Sequence, residues 1–228
     1  QPMQAPLRLS YTVVNEYHQC ARCFYLNRVL RLPQPYSDEA SVGTVAHAAL
    51  QTFYNRWASA DADGQPRPGR EDLLAIARRK FLDSLGARQE VNEAIFEQLQ
   101  AQMAKFYDRL HIPDAQVLET ERTIEFDYEL DGVTHRFTAK LDRIDLLPDG
   151  GVRVIDYKTG AARKAYLEPR KDDLQLGVYA LALKLAKGEA WGENPRGVAE
   201  YWCLATGQRG SISLSELDEA KVRAAIDK

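Results

Sequence analysis

The chain has 228 residues, 45% hydrophobic and 28% charged, with a formal net charge of -3, ordinary values for a globular protein and a length that suits one domain with a decorated core or two small ones. The mild negative balance excludes broad, non-specific attraction to nucleic acid, although a local basic patch would suffice for phosphate contacts. No apolar run approaches the roughly 18 residues that a membrane span needs and the start does not read as a secretory signal, so the expected compartment is the cytoplasm with no membrane partner, and three cysteines do not make a disulfide framework.

The first half reads as helical. Ser10 is placed to cap a helix whose apolar face is Val13, Tyr17, Cys20 and Phe24, ended by the proline-containing break Leu32-Pro33-Gln34-Pro35. A second helix is expected over 41–59, with Val42, Ala46, Ala49, Phe53 and Trp57 at helical spacing. Two prolines and two glycines make 61–70 a loop. Two more helices follow; the clearer one carries Val91, Ile95, Leu99, Met103, Phe106 and Leu110 on one stripe and stops before Pro113.

The period then changes. Ile124, Phe126, Tyr128 and Leu130 alternate with Glu125, Asp127, Glu129 and Asp131, a strand with one wet face. Asp131-Gly132 turns it into a second strand over 133–147, and Asp149-Gly150-Gly151 turns that into a third over 152–158. A helix over 172–186 follows, with Leu174, Val178, Leu181 and Leu185 inward, then strands near 198–204 and 210–214. The last segment, 215–228, reads as a helix that stops without a capping signal.

The chemistry gathers on the hairpin around Asp149. Positions equidistant from an antiparallel turn face one another, and Asp142 and Asp156 are each seven residues from Asp149. Their Cβ atoms are expected roughly 5 Å apart on one face, which Lys158, two residues beyond Asp156, shares. A one-residue slip of register would undo this. Two like charges at that separation repel by roughly 3 kcal/mol at an effective dielectric near 20. A shared proton, the lysine or a divalent cation must offset that. Carboxylate oxygens suit Mg²⁺ or Mn²⁺, and an added imidazole shifts preference toward Mn²⁺. The plainer alternative is a surface salt bridge between Asp156 and Lys158.

His47 follows Gly43 by one helical turn, so the missing side chain would let the helix approach another element beside the imidazole. Gln175 and Tyr179 are one turn apart on the polar side of the 172–186 helix. For these three a structural role is the competing reading. Two segments lean basic: 1–36, with Arg8, Arg22, Arg28 and Arg31, and 158–171, with Lys158, Arg163, Lys164, Arg170 and Lys171. Either is a solvated surface or a grip on phosphates.

Taken in order, Gly43-x3-His47, Leu141-Asp142-Arg143-Ile144-Asp145, Ile155-Asp156-Tyr157-Lys158-Thr159-Gly160 and Gln175-Leu176-Gly177-Val178-Tyr179 resemble the RecB-like branch of the PD-(D/E)xK nuclease superfamily. The resemblance implies an α/β, restriction-endonuclease-like α-β-β-β-α-β core with a mixed central sheet and an N-terminal helical insertion. It gives a single domain over 1–228: a helical part over about 10–112, a catalytic core over about 115–214 and a terminal helix at 215–228. It implies a metal-dependent DNA nuclease acting on single strands or ends, partnered with a helicase domain or subunit and associated with the nucleoid. It assigns His47, Asp142, Asp156 and the Tyr157 carbonyl as ligands of Mg²⁺ or Mn²⁺. Lys158 would orient or help deprotonate the attacking water, with Gln175 and Tyr179 in support, while Arg163, Lys164, Arg170 and Lys171 would grip DNA.

Two departures from the family pattern stand out. Ala139 occupies a position where the family often has glycine, and Ala21 replaces the proline of a common Cys-Pro pair. In iron–sulfur members the early cysteine joins three more near the C-terminus. Here Cys20 would be a partial ligand at most, and a [4Fe-4S] cluster would require a further C-terminal segment, as in a truncated or excised domain. Otherwise Cys20 and Cys23 read as core residues or as a zinc pair.

Overall fold

A computed structural model of the chain describes residues 6–32, 38–85, 92–186, 189, 191–192 and 195–228. In order, the elements are β1 (Arg8–Ser10), α1 (Tyr11–Gln19), α2 (Ala21–Phe24), a π-helical turn (Tyr25–Val29), α3 (Asp38–Asp63), α4 (Arg70–Leu85), α5 (Glu93–Arg109), β2 (Gln116–Leu130), β3 (Val133–Leu146), β4 (Val152–Lys158), α6 (Lys164–Leu167), α7 (Leu174–Leu185), β5 (Gly197–Cys203), β6 (Gln208–Ser213) and α8 (Glu219–Ile226). The six strands form one mixed sheet in which β1, β3, β4, β5 and β6 are successive neighbours and β2 pairs the other edge of β3. β1 runs parallel to β3 and β5 parallel to β4; the remaining pairs are antiparallel. The expected α-β-β-β-α-β core is present within this mixed α/β fold.

The sheet is covered on both sides. One core packs α3, α4 and α5 against Ile155, Tyr157, Trp202 and Leu204. The other packs α7 and α8 against Phe126, Phe137, Val154, Tyr201 and Ile212. The stripe expected on α3 is buried throughout, and Leu99, Met103, Phe106 and Leu110 of the α5 stripe are buried too. Val91 and the break at Pro33-Gln34-Pro35 lie outside the described residues. Asp131 and Gly132 both take positive φ, the pair required at the centre of a two-residue hairpin turn with the twist of its strands.

The N-terminal helix differs from its expected form. It breaks at Cys20 into α1 and α2, and the buried residue of α1 is Val14; Tyr17 is 47% exposed. The reason lies at Cys20, whose extended backbone interrupts the helix, with a sulfur bond to Cys23 and the Arg28–Glu16 ion pair linking the two sides of the interruption. Neither Cys20 nor Cys23 is buried. The core reading of these cysteines therefore falls. The third cysteine, Cys203, is buried on β5. The final segment is likewise not one helix: it forms a 3₁₀ turn (Leu214–Glu216) and then α8, whose first turn Asp218 caps through the Lys221 amide.

What positions the site is a division of one edge of β3. At Arg136–Thr138 that edge pairs with β1, and at Arg143–Leu146 with β4. Between them the ladder opens. The Asp142 carboxylate accepts the Tyr157 amide at 2.8 Å, so a side chain takes the place of a backbone bond where the strands part. Behind the opening, the fully buried Arg143 makes a two-pronged ion pair with Asp145, at 2.6 and 2.7 Å, and lies 3.8 Å from the centre of the Tyr54 ring. Removing one member of such a pair strands the other in a dry interior. Arg143→Leu is expected to cost about 3–5 kcal/mol. Urea unfolding measures it, and a change under about 1 kcal/mol would show that the pair does not hold the strands.

Candidate active site

Three carboxyl groups converge at the opening. The register that pairs Arg143 with Ile155 and Ile144 with Val154 sets Asp142 opposite Asp156. On the other side of β3, Thr120–Arg143 and Arg122–Leu141 bracket Glu121, setting it opposite Asp142. Glu121 adopts φ 52°, a left-handed backbone uncommon for a side-chain-bearing residue. The sequence does not mark it: alternation begins at Ile124, and none extends the strand over 116–123, where the structure places its first half.

Asp142 turns toward α3. His47 Nδ1 lies 3.3 Å from Asp142 Oδ1 and 3.5 Å from Glu121 Oε1, while His47 Nε2 is 3.1 Å from the Tyr157 carbonyl. Ligand atoms of His47, Glu121 and Asp142 lie within 4.8 Å of one another. Gly43 makes this approach feasible, since a Cβ there would stand 3.2 Å from Thr159 Oγ1. An open cleft of about 400 Å³ lies over the group, lined by Gly43, Thr44, His47, Gln51, Glu121 and Lys140.

Asp156 turns toward α7. Its Oδ1 accepts from Gln175 Nε2 at 2.5 Å and from the Tyr179 hydroxyl at 2.7 Å. Lys158 Nζ sits 2.7 Å from Asp156 Oδ2 and donates to Gln175 Oε1 at 2.7 Å. Gln175 and Tyr179, on the polar side of α7, are both buried against Asp156, and Asp156 with Lys158 is not a surface salt bridge. Asp173 caps α7 through the Leu176 amide and accepts the Tyr201 hydroxyl, fixing the helix to β5.

Electrostatics divide the site. Burial lowers the His47 pKa, but hydrogen bonds to Asp142 and Glu121 outweigh it and lift it to about 10. Burial and then the Asp156 charge raise Asp142. Burial also acts to raise Glu121, yet His47 and Lys140 bring it below its ordinary value. Burial pushes Lys158 down, and Asp156 more than reverses this, so it stays an ammonium. Tyr179, raised by burial and Asp156, stays a neutral donor.

These donors fit a hard divalent ion. Carboxylate oxygens, a carbonyl and one imidazole suit Mg²⁺ and more strongly Mn²⁺. Asp156 Oδ2 is buried with no aligned hydrogen bond; Lys158 is near it but off the bonding direction, leaving an acceptor lone pair for a cation.

The basic run beyond Lys158 is exposed. Lys164 pairs with Glu168 at 3.6 Å, and Arg170 makes two 3.0 Å bonds to Asp172. Arg163 lies 5.9 Å over Tyr166.

The sequence model of the PD-(D/E)XK nuclease superfamily matches residues 8–228. The Gene 69 protein of Mycobacterium phage D29 is 26% identical over 209 residues, covering 82% of this chain and 72% of that one. The crystal structure of SSO0001 aligns with 94% of this chain and 81% of that chain at 16% identity and a TM-score of 0.34, a similarity too slight to argue from.

A cation entering among these groups must displace the His47 proton, which is held up to about pH 10. Its affinity should therefore rise with pH toward that value, with about one proton released per ion near neutrality. Titration calorimetry of Mn²⁺ into chelator-stripped protein, run in two buffers of different ionisation enthalpy, reads the release directly. Binding with no proton release would remove His47 from the ligand set.

Proposed function

The chain belongs to the PD-(D/E)XK nuclease superfamily, and we propose that it is a divalent-metal-dependent nuclease that hydrolyses DNA phosphodiester bonds. The observation that carries this reading is the meeting of His47, Glu121 and Asp142 with an ammonium–amide–carboxylate chain through Lys158, Gln175 and Asp156. His47, Glu121, Asp142, the Tyr157 carbonyl and Asp156 Oδ2 would hold Mg²⁺ or Mn²⁺. That ion supplies a Lewis acid, which acidifies a water and offsets charge on phosphate oxygens.

The side chains do the rest. Lys158, kept cationic, donates to a phosphate oxygen and balances the charge of the pentavalent transition state. Gln175 and Tyr179 hold Asp156 in one orientation, so the carboxylate needs little reorganisation when substrate arrives. The motif order shared with RecB-like nucleases supports single strands or DNA ends as substrate, a helicase as working partner and a cytoplasmic, nucleoid-associated setting. Of the basic run, Arg163 and Lys171 have no acidic partner among the described residues and are the better placed to meet phosphates.

Labelled single-stranded DNA should be cut in Mn²⁺ or Mg²⁺ and left intact in EDTA. Asp156→Ala and Lys158→Ala should each slow cleavage by about 10²–10⁴, with the fold and DNA affinity retained. If both variants cut like the parent, the site is misassigned. A parent that binds DNA in either metal and never cuts is a non-catalytic binding module.

A further inference from the structure

Lys140 stands two residues before Asp142 on β3, opposite Thr123 and diagonal to Glu121. Its Nζ contacts Glu121 Oε2, the oxygen turned away from His47, whose Nδ1 faces Oε1. Glu121 is therefore shared between the group able to hold a cation and a lysine on the wall of the cleft. The two partners differ in freedom. The Lys140 side chain is 62% exposed, while that of Glu121 is 10% exposed. The lysine can leave the ion pair for solvent at small cost, as exposed ammonium groups do; the carboxylate cannot.

Charge dictates what happens next. The three carboxylates Glu121, Asp142 and Asp156 face the ammonium groups Lys140 and Lys158 and the protonated His47, so the charges balance. A divalent ion that takes the place of the His47 proton leaves one positive charge and weakens the hold of Glu121 on Lys140. An ammonium expelled from this pair remains tethered at the cleft, next to where a phosphodiester reaches the ion.

Resting on the nuclease reading, we infer that Lys140 is an exchangeable phosphate-binding residue: it occupies Glu121 until a divalent ion takes that carboxylate, then transfers to a DNA backbone phosphate. Metal and DNA binding are thereby coupled through one side chain, and the coupling is reciprocal.

The two ligands give Lys140→Gln opposite signs. Without the competing ammonium, Mn²⁺ affinity of the DNA-free protein, read by calorimetry, should rise about threefold to tenfold. Single-strand affinity in Ca²⁺, read by anisotropy on an oligonucleotide verified intact, should fall by about the same factor, with the salt slope reduced by about one. In EDTA the affinity should not change. Lys140→Arg keeps the charge and should stay near the parent in both assays, which separates the effect from a folding defect. Unchanged or weakened Mn²⁺ binding in Lys140→Gln overturns the inference, as does an equal loss of DNA affinity in EDTA and Ca²⁺. A parent that binds Mn²⁺ and cuts DNA while Lys140→Gln behaves like it removes this exchange alone; a parent that never cuts removes the nuclease reading instead.

Discussion

Three carboxyl groups crowd into a partly dry opening of the sheet, and the rest of the site exists to make that tolerable. Each neighbouring pair, Glu121 with Asp142 and Asp142 with Asp156, repels at about 5 Å by roughly 3 kcal/mol at an effective dielectric near 20, a sizeable fraction of the stability of a domain. The burden is spread. His47 and Lys140 offset Glu121; His47 and the Tyr157 amide offset Asp142; Lys158, Gln175 and Tyr179 offset Asp156. The balance is local, and it leaves acceptor capacity unused at Asp156 Oδ2. An arrangement built only for stability would close that gap with a donor or replace the cluster with apolar side chains.

The two cores explain why the offsets arrive from opposite sides. α3 is locked to one face of the sheet by Phe53, Tyr54 and Trp57, which leaves its His47 flank at the opening. α7 is locked to the other face by Leu176, Val178 and Leu181, and turns Gln175 and Tyr179 inward. Neither helix needs to move for its polar side chains to meet the strands. The sheet itself supplies the junction, because β3 changes partners between β1 and β4 and its ladder stops where the carboxylates are needed.

Much of this was legible in the residues. Equal distance from Asp149 set Asp142 against Asp156, since a tight turn fixes register, and the apolar stripes of α3 and α5 followed from helical period. Glu121 was not legible: it lies in a stretch of β2 that lacks alternation, and its positive φ has no signature in a glutamate. One-turn spacing put Gln175 and Tyr179 on a single polar side of α7, but no pattern in the sequence names what that side faces, which is the buried carboxylate of Asp156. β1 and α6, three and four residues long, are too short for periodicity to register. Helical spacing alone puts Cys20 and Cys23 on one helix and does not anticipate the interruption between α1 and α2.

The two lysines beside the cluster show how burial sorts one chemistry into two roles. Lys158 is enclosed, with the Tyr166 and Tyr201 rings 5.2 and 5.0 Å from its Nζ and Asp156 beside it. Ring faces and a carboxylate both favour the ammonium form, and its pKa is raised accordingly. Lys158 is thus a fixed positive charge, aimed by Gln175 and unable to wander. Lys140 has the same charge with neither ring nor amide to hold it among the described residues, only a carboxylate that a stronger cation can claim. On the proposed nuclease reading, fixed charge serves the reacting phosphate, where geometry sets the rate, and loose charge serves the strand on either side, where reach matters more than aim.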